Sequence, residues 1–322
     1  MTETDPSAID RMLRRIFGGG TRWERVMEGV STEVYRIVHG TQRFYLRWPA
    51  GERSSFAAEA AVHTELRRIG VTVPEILHCD SFDEDVLRPV LITSEIPGRP
   101  MIGYGSNGGR IIDVPAPADL SRIYRAAGRD LALVNQVSVE GFGWIRDDHG
   151  EWPLQAEHRD FASWIGRFDA GPLRNLGFGR EAVREVGRIV DAESAEAPAR
   201  GRLAHGDFHV SHVFHQDGRY SGIIDFGDIQ GSNGWHDLAT FRLSDPELDS
   251  VEDAAVPHLE AGYIEVAGEA PDFRERVRGT AVTIMAERLT RQHLAEGDAA
   301  LRRGSFRIFL HHLRRLLDEP AG

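Results

Sequence analysis

Between Pro97 and Arg110 the sequence reads PGRPMIGYGSNGGR, and this run limits what the chain can become more than any other. Proline lacks a backbone donor and glycine resists helix and strand interiors, so no long helix or central strand passes through it. The pattern differs on its two sides. Upstream, IDRMLRRIFG is helical and GGG breaks it; WERVMEG and EVYRIVHGTQRFYLRWP read as short strands rich in β-branched and aromatic residues. SSFAAEAAVHTELRRIG predicts a helix with a serine start and a closing Gly70, and PEILHCD and LRPVLITSEI follow as strands. Downstream, PADLSRIYRAAGRDLALVNQV, RDFASWIGRF and a long pattern over 246–317, punctuated by Gly262, Gly268 and Gly297, predict helices. DAESAEAPARG reads as a short acidic linker. The expectation is an α+β chain: a small, mainly antiparallel β part over 1–96, a hinge and linker over 97–110, and a larger helical part over 111–322.

Composition narrows the function classes. A length of 322 residues leaves room for about two domains. The formal net charge of −12 argues against a nucleic-acid partner and suits a cationic one. All 38 basic residues are arginine, so any phosphate that needs a cation must use a guanidinium. The single cysteine, Cys79, excludes an intrachain disulfide framework. The polar, acidic start and the lack of an apolar run near ~18 residues lead us to expect a cytoplasmic chain without a membrane span.

The segment LAHGDFHVSHVFHQDGRYSGIIDFGDIQGSNGWHDLA, from Leu203 to Ala239, holds the chemistry. Its first half carries His205, His209, His212 and His215, which raises the possibility of a histidine metal cage. Against that, HVFH and YSGIIDF read as strands joined by the Asp-Gly turn QDGR, and no H-E-x-x-H spacing is present. The carboxylates offer the other reading. Asp207 sits in HGD, while Asp225 and Asp228 lie in IIDFGD beyond the hairpin.

His205-Gly206-Asp207, then Ile224-Asp225-Phe226-Gly227-Asp228, then Asp237-Leu238-Ala239 resemble in order and spacing the aminoglycoside phosphotransferase family of small-molecule kinases, relatives of protein kinases. The resemblance implies a two-lobed, protein-kinase-like fold with ATP and metal in the cleft between lobes. It implies that Asp207 accepts the acceptor's hydroxyl proton, that Asp225 holds Mg²⁺, and that His205 supports the loop. Asp228 and Asp237 read as structural anchors. His212 departs from the family, standing where it carries a metal-binding Asn. Magnesium prefers oxygen, so three readings stay open: action through a bridging water, a softer ion such as Mn²⁺, or loss of a second metal.

The same resemblance places the nucleotide. MEGVSTEVYRI matches the phosphate-covering turn, with Gly29, Ser31 and Thr32 toward the phosphates. Arg47 stands at the position of the kinase strand lysine, and Glu59 on the following helix is placed to pair with it. The backbone of Ser94, Glu95 and Ile96 matches the adenine-binding hinge, and backbone recognition leaves ATP and GTP undistinguished. For the acceptor, Trp235, His236, Asp245, Glu247 and Asp249 suggest an acidic, aromatic-edged pocket for an aminoglycoside or other cationic antibiotic. A kinase of choline, homoserine or a sugar, a catalytically silent nucleotide binder and a histidine-ligated metallohydrolase remain as alternatives.

Overall fold

The computed structural model describes residues 5–26, 32–49, 55–104, 109–166, 168–241, 243 and 248–318; the side chains of Thr32, Pro49, Tyr104 and Asp249 lie outside that description. The chain opens with α1 (Pro6–Phe17), β1 (Thr21–Val26), β2 (Thr32–His39), β3 (Gln42–Pro49) and α2 (Ala57–Arg68). Next come β4 (Ile76–Asp83), β5 (Arg88–Ser94), β6 (Arg99–Pro100), β7 (Ile102–Tyr104), β8 (Arg110–Ile112) and α3 (Pro117–Val134). They are followed by β9 (Ser138–Val139), β10 (Phe142–Ile145), β11 (Ala156–His158), α4 (Phe161–Ile165), α5 (Ala170–Asn175) and α6 (Arg180–Glu196). The segment rich in histidine and aspartate contains β12 (Gly201–Ala204), β13 (Val213–Gln216), β14 (Arg219–Ile223), β15 (Gln230–Ser232) and α7 (His236–Thr240). The chain closes with α8 (Asp249–Ala267), α9 (Phe273–Glu296) and α10 (Gly304–Asp318).

These elements form two compact units. The first comprises Met1–Ile123, Arg146–Leu154 and Ser211–Gly227. Its main sheet runs β1-β2-β3-β5-β4, antiparallel throughout. The helix α1 lies on this sheet for local reasons. The Asp5 carboxylate accepts from the Ser7 N–H at 3.0 Å, and Pro6 occupies the first turn, where a missing donor costs nothing. Ile9, Met12 and Leu13 then fall on one helix face and pack against Ile37, Leu46, Trp48 and Ile92. A three-stranded sheet, β14-β13-β6, holds this unit's part of the segment between Leu203 and Ala239. Its hairpin turns at Asp217 and Gly218, with φ of 51° and 71°, as the QDGR sequence predicts.

The second unit comprises Tyr124–Ile145, Gln155–Val210 and Asp228–Gly322. It carries the sheet β11-β10-β15-β12-β9 and a helical core. Val186, Ile189 and Val190 of α6 meet Val282, Met285 and Leu289 of α9, with Phe306 and Leu313 of α10 closing the cluster. The expected linker DAESAEAPARG is mostly helix: α6 continues to Glu196, since alanine and glutamate extend a helix whose apolar face is already buried. Helices α3 and α8 approach closely. A Cβ on Gly128 would collide with the Leu259 carbonyl, and one on Gly262 with that of Arg125. No helix among the described residues is long and apolar enough to cross a membrane.

Candidate active site

In the first unit Arg47 is the centre of the arrangement. It lies on β3 between Val34 and Leu91, and its guanidinium pairs with the Glu59 carboxylate on α2. Glu59 is 1% exposed, and the pair with Arg47 offsets the cost of burying a carboxylate. A second guanidinium nitrogen lies 3.4 Å from Asp225 Oδ1, and the Phe56 ring centre is 5.7 Å from the guanidinium carbon. Arg47 thus joins the strand, the helix and the acid of the IDFGD motif.

Asp225 follows β14 with φ of 68°, a left-handed conformation uncommon for residues other than glycine, asparagine and aspartate. The Ile224 N–H donates to the His212 carbonyl at 3.1 Å, and His212 Nε2 lies 3.6 Å from Asp225 Oδ2. Phe226 is fully buried and meets His63 edge-on at 5.3 Å. His63 Nδ1 donates to the Pro74 carbonyl at 2.9 Å and sits one helical turn after Glu59. Two side chains on α2, Glu59 and His63, therefore address the Asp225 turn, one through Arg47 and one through Phe226. Sequence reasoning missed His63, which carries no motif; its only signal is the four-residue spacing from Glu59.

At the hinge, the Ser94 N–H donates to the Glu75 carbonyl and the Glu95 N–H to the Arg43 carbonyl, at 2.9 and 3.2 Å. Both donors are thus committed within the sheet. Ile96 is buried, and its N–H makes no backbone hydrogen bond among the described residues. Gly29 and Ser31 lie outside the described residues, and Thr32 opens β2.

In the second unit a buried carboxylate builds the loop that carries Asp207. Asp237, fully buried at the start of α7, accepts the His205 and Gly206 N–H groups at 2.9 and 3.0 Å. It also accepts from Asn135 Nδ2 at 2.8 Å, and the same amide nitrogen donates to the Leu203 carbonyl. Three donors around one buried acid fix the backbone that leads into Asp207. Asn135 was invisible in the sequence, because a single amide on a helix carries no pattern.

His205 is fully buried, and its Nδ1 accepts the Asp207 N–H at 3.3 Å. Gly206 has φ of 86°, and a Cβ there would collide with the Asp228 carbonyl, so this position requires glycine. The Asp207 side chain is 54% exposed, with His209 Nε2 3.6 Å from its Oδ2. Phe208 is buried between His205 and Phe241, at ring distances of 5.7 and 5.6 Å.

The acceptor candidates are dispersed. Trp235 is half-buried in an aromatic group with Tyr263 and Phe273, at 6.2 and 5.6 Å. His236 is 1% exposed and stacks on Trp164 at 6.0 Å; burial pushes its pKa down to about 4, so it is neutral at pH 7. Asp245 and Glu247 lie outside the described residues, and Asp249 begins α8.

Comparison with known proteins follows the same line. The profile of the phosphotransferase enzyme family matches residues 22–279. No curated protein matches the sequence. The fold resembles the aminoglycoside phosphotransferase APH(4)-Ia, at 17% identity and a TM-score of 0.64 over 99% of this chain and 100% of that one. A thermostable mutant of that enzyme, in ternary complex with AMP-PNP and hygromycin B, gives 16% identity and a TM-score of 0.66, covering 98% and 99% of the two chains. The macrolide 2′-phosphotransferase MphH of Brachybacterium faecium is also similar, at 17% identity and a TM-score of 0.58 over 98% and 100%.

Proposed function

The chain belongs to the phosphotransferase enzyme family, and from that premise we propose that it transfers the γ-phosphoryl group of ATP to a hydroxyl of a small molecule. The observation that carries the reading is Arg47, paired to buried Glu59 and reaching Asp225 in a chain without lysine. That guanidinium takes the α- and β-phosphates in place of a strand lysine, using its planar fork. The backbone of Ser94, Glu95 and Ile96 borders the adenine, with the Ile96 N–H as its donor. Gly29, Ser31 and Thr32 cover the phosphates.

In the second unit Asp207 accepts the proton of the acceptor hydroxyl. The freed oxygen forms a bond to the γ-phosphorus. The bond from that phosphorus to the β–γ bridging oxygen breaks, and its electron pair leaves with ADP. His205 and Asp237 hold Asp207 in place and transfer nothing.

Asp225 fits a hard cation: an oxygen donor, 47% exposed, in a backbone conformation held by its neighbours. When bound, Mg²⁺ supplies charge neutralisation at the phosphates; Mn²⁺ suits the same carboxylate. His212 lies against Asp225 and would support the bound metal indirectly, through water, since imidazole is a poor direct ligand for magnesium.

A cationic antibiotic such as an aminoglycoside was the acceptor expected from the acids of 245–249, with metabolic alcohols as the alternative. A coupled ADP-release assay with both acceptor classes, in Mg²⁺ and then Mn²⁺, tests the transfer. Acceptor-stimulated ADP release is expected, with a shifted metal requirement in His212→Ala. Nucleotide binding with no release under any condition instead identifies a catalytically silent relative.

A further inference from the structure

Strand β4 lies at the edge of the first unit's main sheet, and its inner face breaks the apolar pattern of its neighbour. His78 and Asp80, alternate residues of β4, stand opposite Ile92 and Val90 of β5. Cross-strand partners share a sheet face, and Val90 and Ile92 are fully buried in the core that α1 covers. Apolar side chains are the default on such a face, so an imidazole and a carboxylate there need a physical reason. His78 is half-buried, and its Nε2 is shielded from water without a hydrogen-bond partner. A polar atom kept in that condition costs stability unless something binds it.

Asp83, at the end of the same strand, brings a third group. The β4–β5 register shifts between Asp80 and Asp83, and one ring nitrogen of His78 and one oxygen from each carboxylate lie within 4.8 Å of one another. Both carboxylates retain acceptor capacity. Asp83 Oδ1 accepts the Asp85 and Val86 N–H groups at 2.9 and 3.2 Å, and its Oδ2 pairs with Arg15 of α1. Asp80 Oδ1 accepts the Phe82 N–H at 2.9 Å. A carboxylate offers about four lone-pair positions, so at least one remains on each. Arg15 does not neutralise the group alone, since it is shared with Asp85 at 3.2 Å and its side chain is 38% exposed.

We propose that His78, Asp80 and Asp83 form a binding site for a divalent transition ion of the Zn²⁺ class, separate from any ion at Asp225. One imidazole nitrogen with two carboxylate oxygens favours Zn²⁺ or Co²⁺ over Mg²⁺ and Ca²⁺, which prefer oxygen alone. Zn²⁺ holds such ligands at about 2.0–2.2 Å, so the donors of one ion lie within about 4.4 Å, and small side-chain rotations close the site. The ion ties three positions along the end of β4, and Asp83 links that end to Arg15 of α1. Its effect is on the stability of the first unit, with no part in phosphoryl transfer.

The test uses the full chain without an affinity tag, stripped of metal by a chelator. Zn²⁺ is titrated calorimetrically in excess Mg²⁺, and melting curves are taken with Zn²⁺ and with Mg²⁺ alone. The proteins are the wild type, His78→Gln, Asp80→Asn and His212→Ala, the last reporting on ions held at the proposed reaction site. Zn²⁺ at about 100-fold excess over Kd should raise the Tm of the wild type and of His212→Ala by at least about 3 °C. Mg²⁺ should not. His78→Gln and Asp80→Asn should each bind Zn²⁺ at the β4 site at least ~10-fold more weakly and lose most of the Tm rise, as expected for a lost ligand. Metal-free melting curves show whether each variant is folded, and either variant alone decides the question. Co²⁺ gives a second reading: its visible absorption should appear with the wild type and His212→Ala and fade in the two β4 variants. The proposal falls if the wild type binds no Zn²⁺, if both β4 variants keep its affinity and Tm rise, if His212→Ala alone abolishes them, or if Mg²⁺ produces the same rise. None of these readings needs turnover, so a failure to release ADP would bear on the transfer reading alone.

Discussion

Asp237 and His236 are neighbours in sequence and both are buried, yet they shape the second unit in opposite ways. Asp237 is satisfied in the interior by three N–H donors, from His205, Gly206 and Asn135. His236 loses its charge because burial penalises the imidazolium. A histidine whose folded pKa lies below its ordinary value of 6.5 binds fewer protons folded than unfolded between those values. Its stabilising contribution is therefore complete above pH 6.5 and is lost as pH falls toward about 4. At 1.36 kcal/mol per unit, the loss is on the order of 3 kcal/mol. Urea unfolding at pH 7.5 and 5.0 should show a steeper loss of stability in the wild type than in His236→Gln; parallel losses contradict the assignment. Much at this scale was legible beforehand. The order of Asp207, Asp225 and Asp237 is what carries the family resemblance, and the Arg47–Glu59 pairing is what that resemblance implies. The reach of Arg47 to Asp225, the His63–Phe226 contact and the Asn135–Asp237 bond join residues 178, 163 and 102 positions apart, and nothing local encodes them.

At the scale of elements, local rules worked where local chemistry decides. The α1 helix begins at its Asp-Pro cap, and the β13–β14 hairpin turns at Asp-Gly. They failed at α6, where a polar, alanine-rich tail looked like a linker because its helical continuation is supported by apolar residues one and two turns upstream. They also passed over the short strands β9 to β11, which are too brief to show a period and exist through their partners in the sheet. The α3–α8 crossing gives a prediction of sign. Replacing a glycine inside a helix by alanine ordinarily stabilises by about 0.5–1 kcal/mol. At Gly128 the added methyl meets the Leu259 carbonyl, so Gly128→Ala should instead destabilise by about 1–3 kcal/mol. Calorimetric melting decides this, and an unchanged or raised Tm refutes the close approach.

For the molecule as a whole, the glycine and proline run at 97–110 suggests two parts separated there, whereas contacts group the chain into two units with other bounds. The division is not a single cut. Arg146–Leu154 and Ser211–Gly227 join the strand-rich unit, so the segment between Asp207 and Asp225 passes from one unit to the other. Sequence patterning sees neighbours along the chain and has no means of assigning such excursions. The reading proposed for this chain is phosphoryl transfer, with Asp207 as the proposed proton acceptor. ATP labelled in its γ-phosphate tests that claim most directly, with the label followed into the acceptor after incubation with the wild type and with Asp207→Asn. The account predicts a labelled phosphate ester from the wild type and at least ~100-fold less from the variant. Label recovered only as inorganic phosphate, or equal transfer by both proteins, would contradict it.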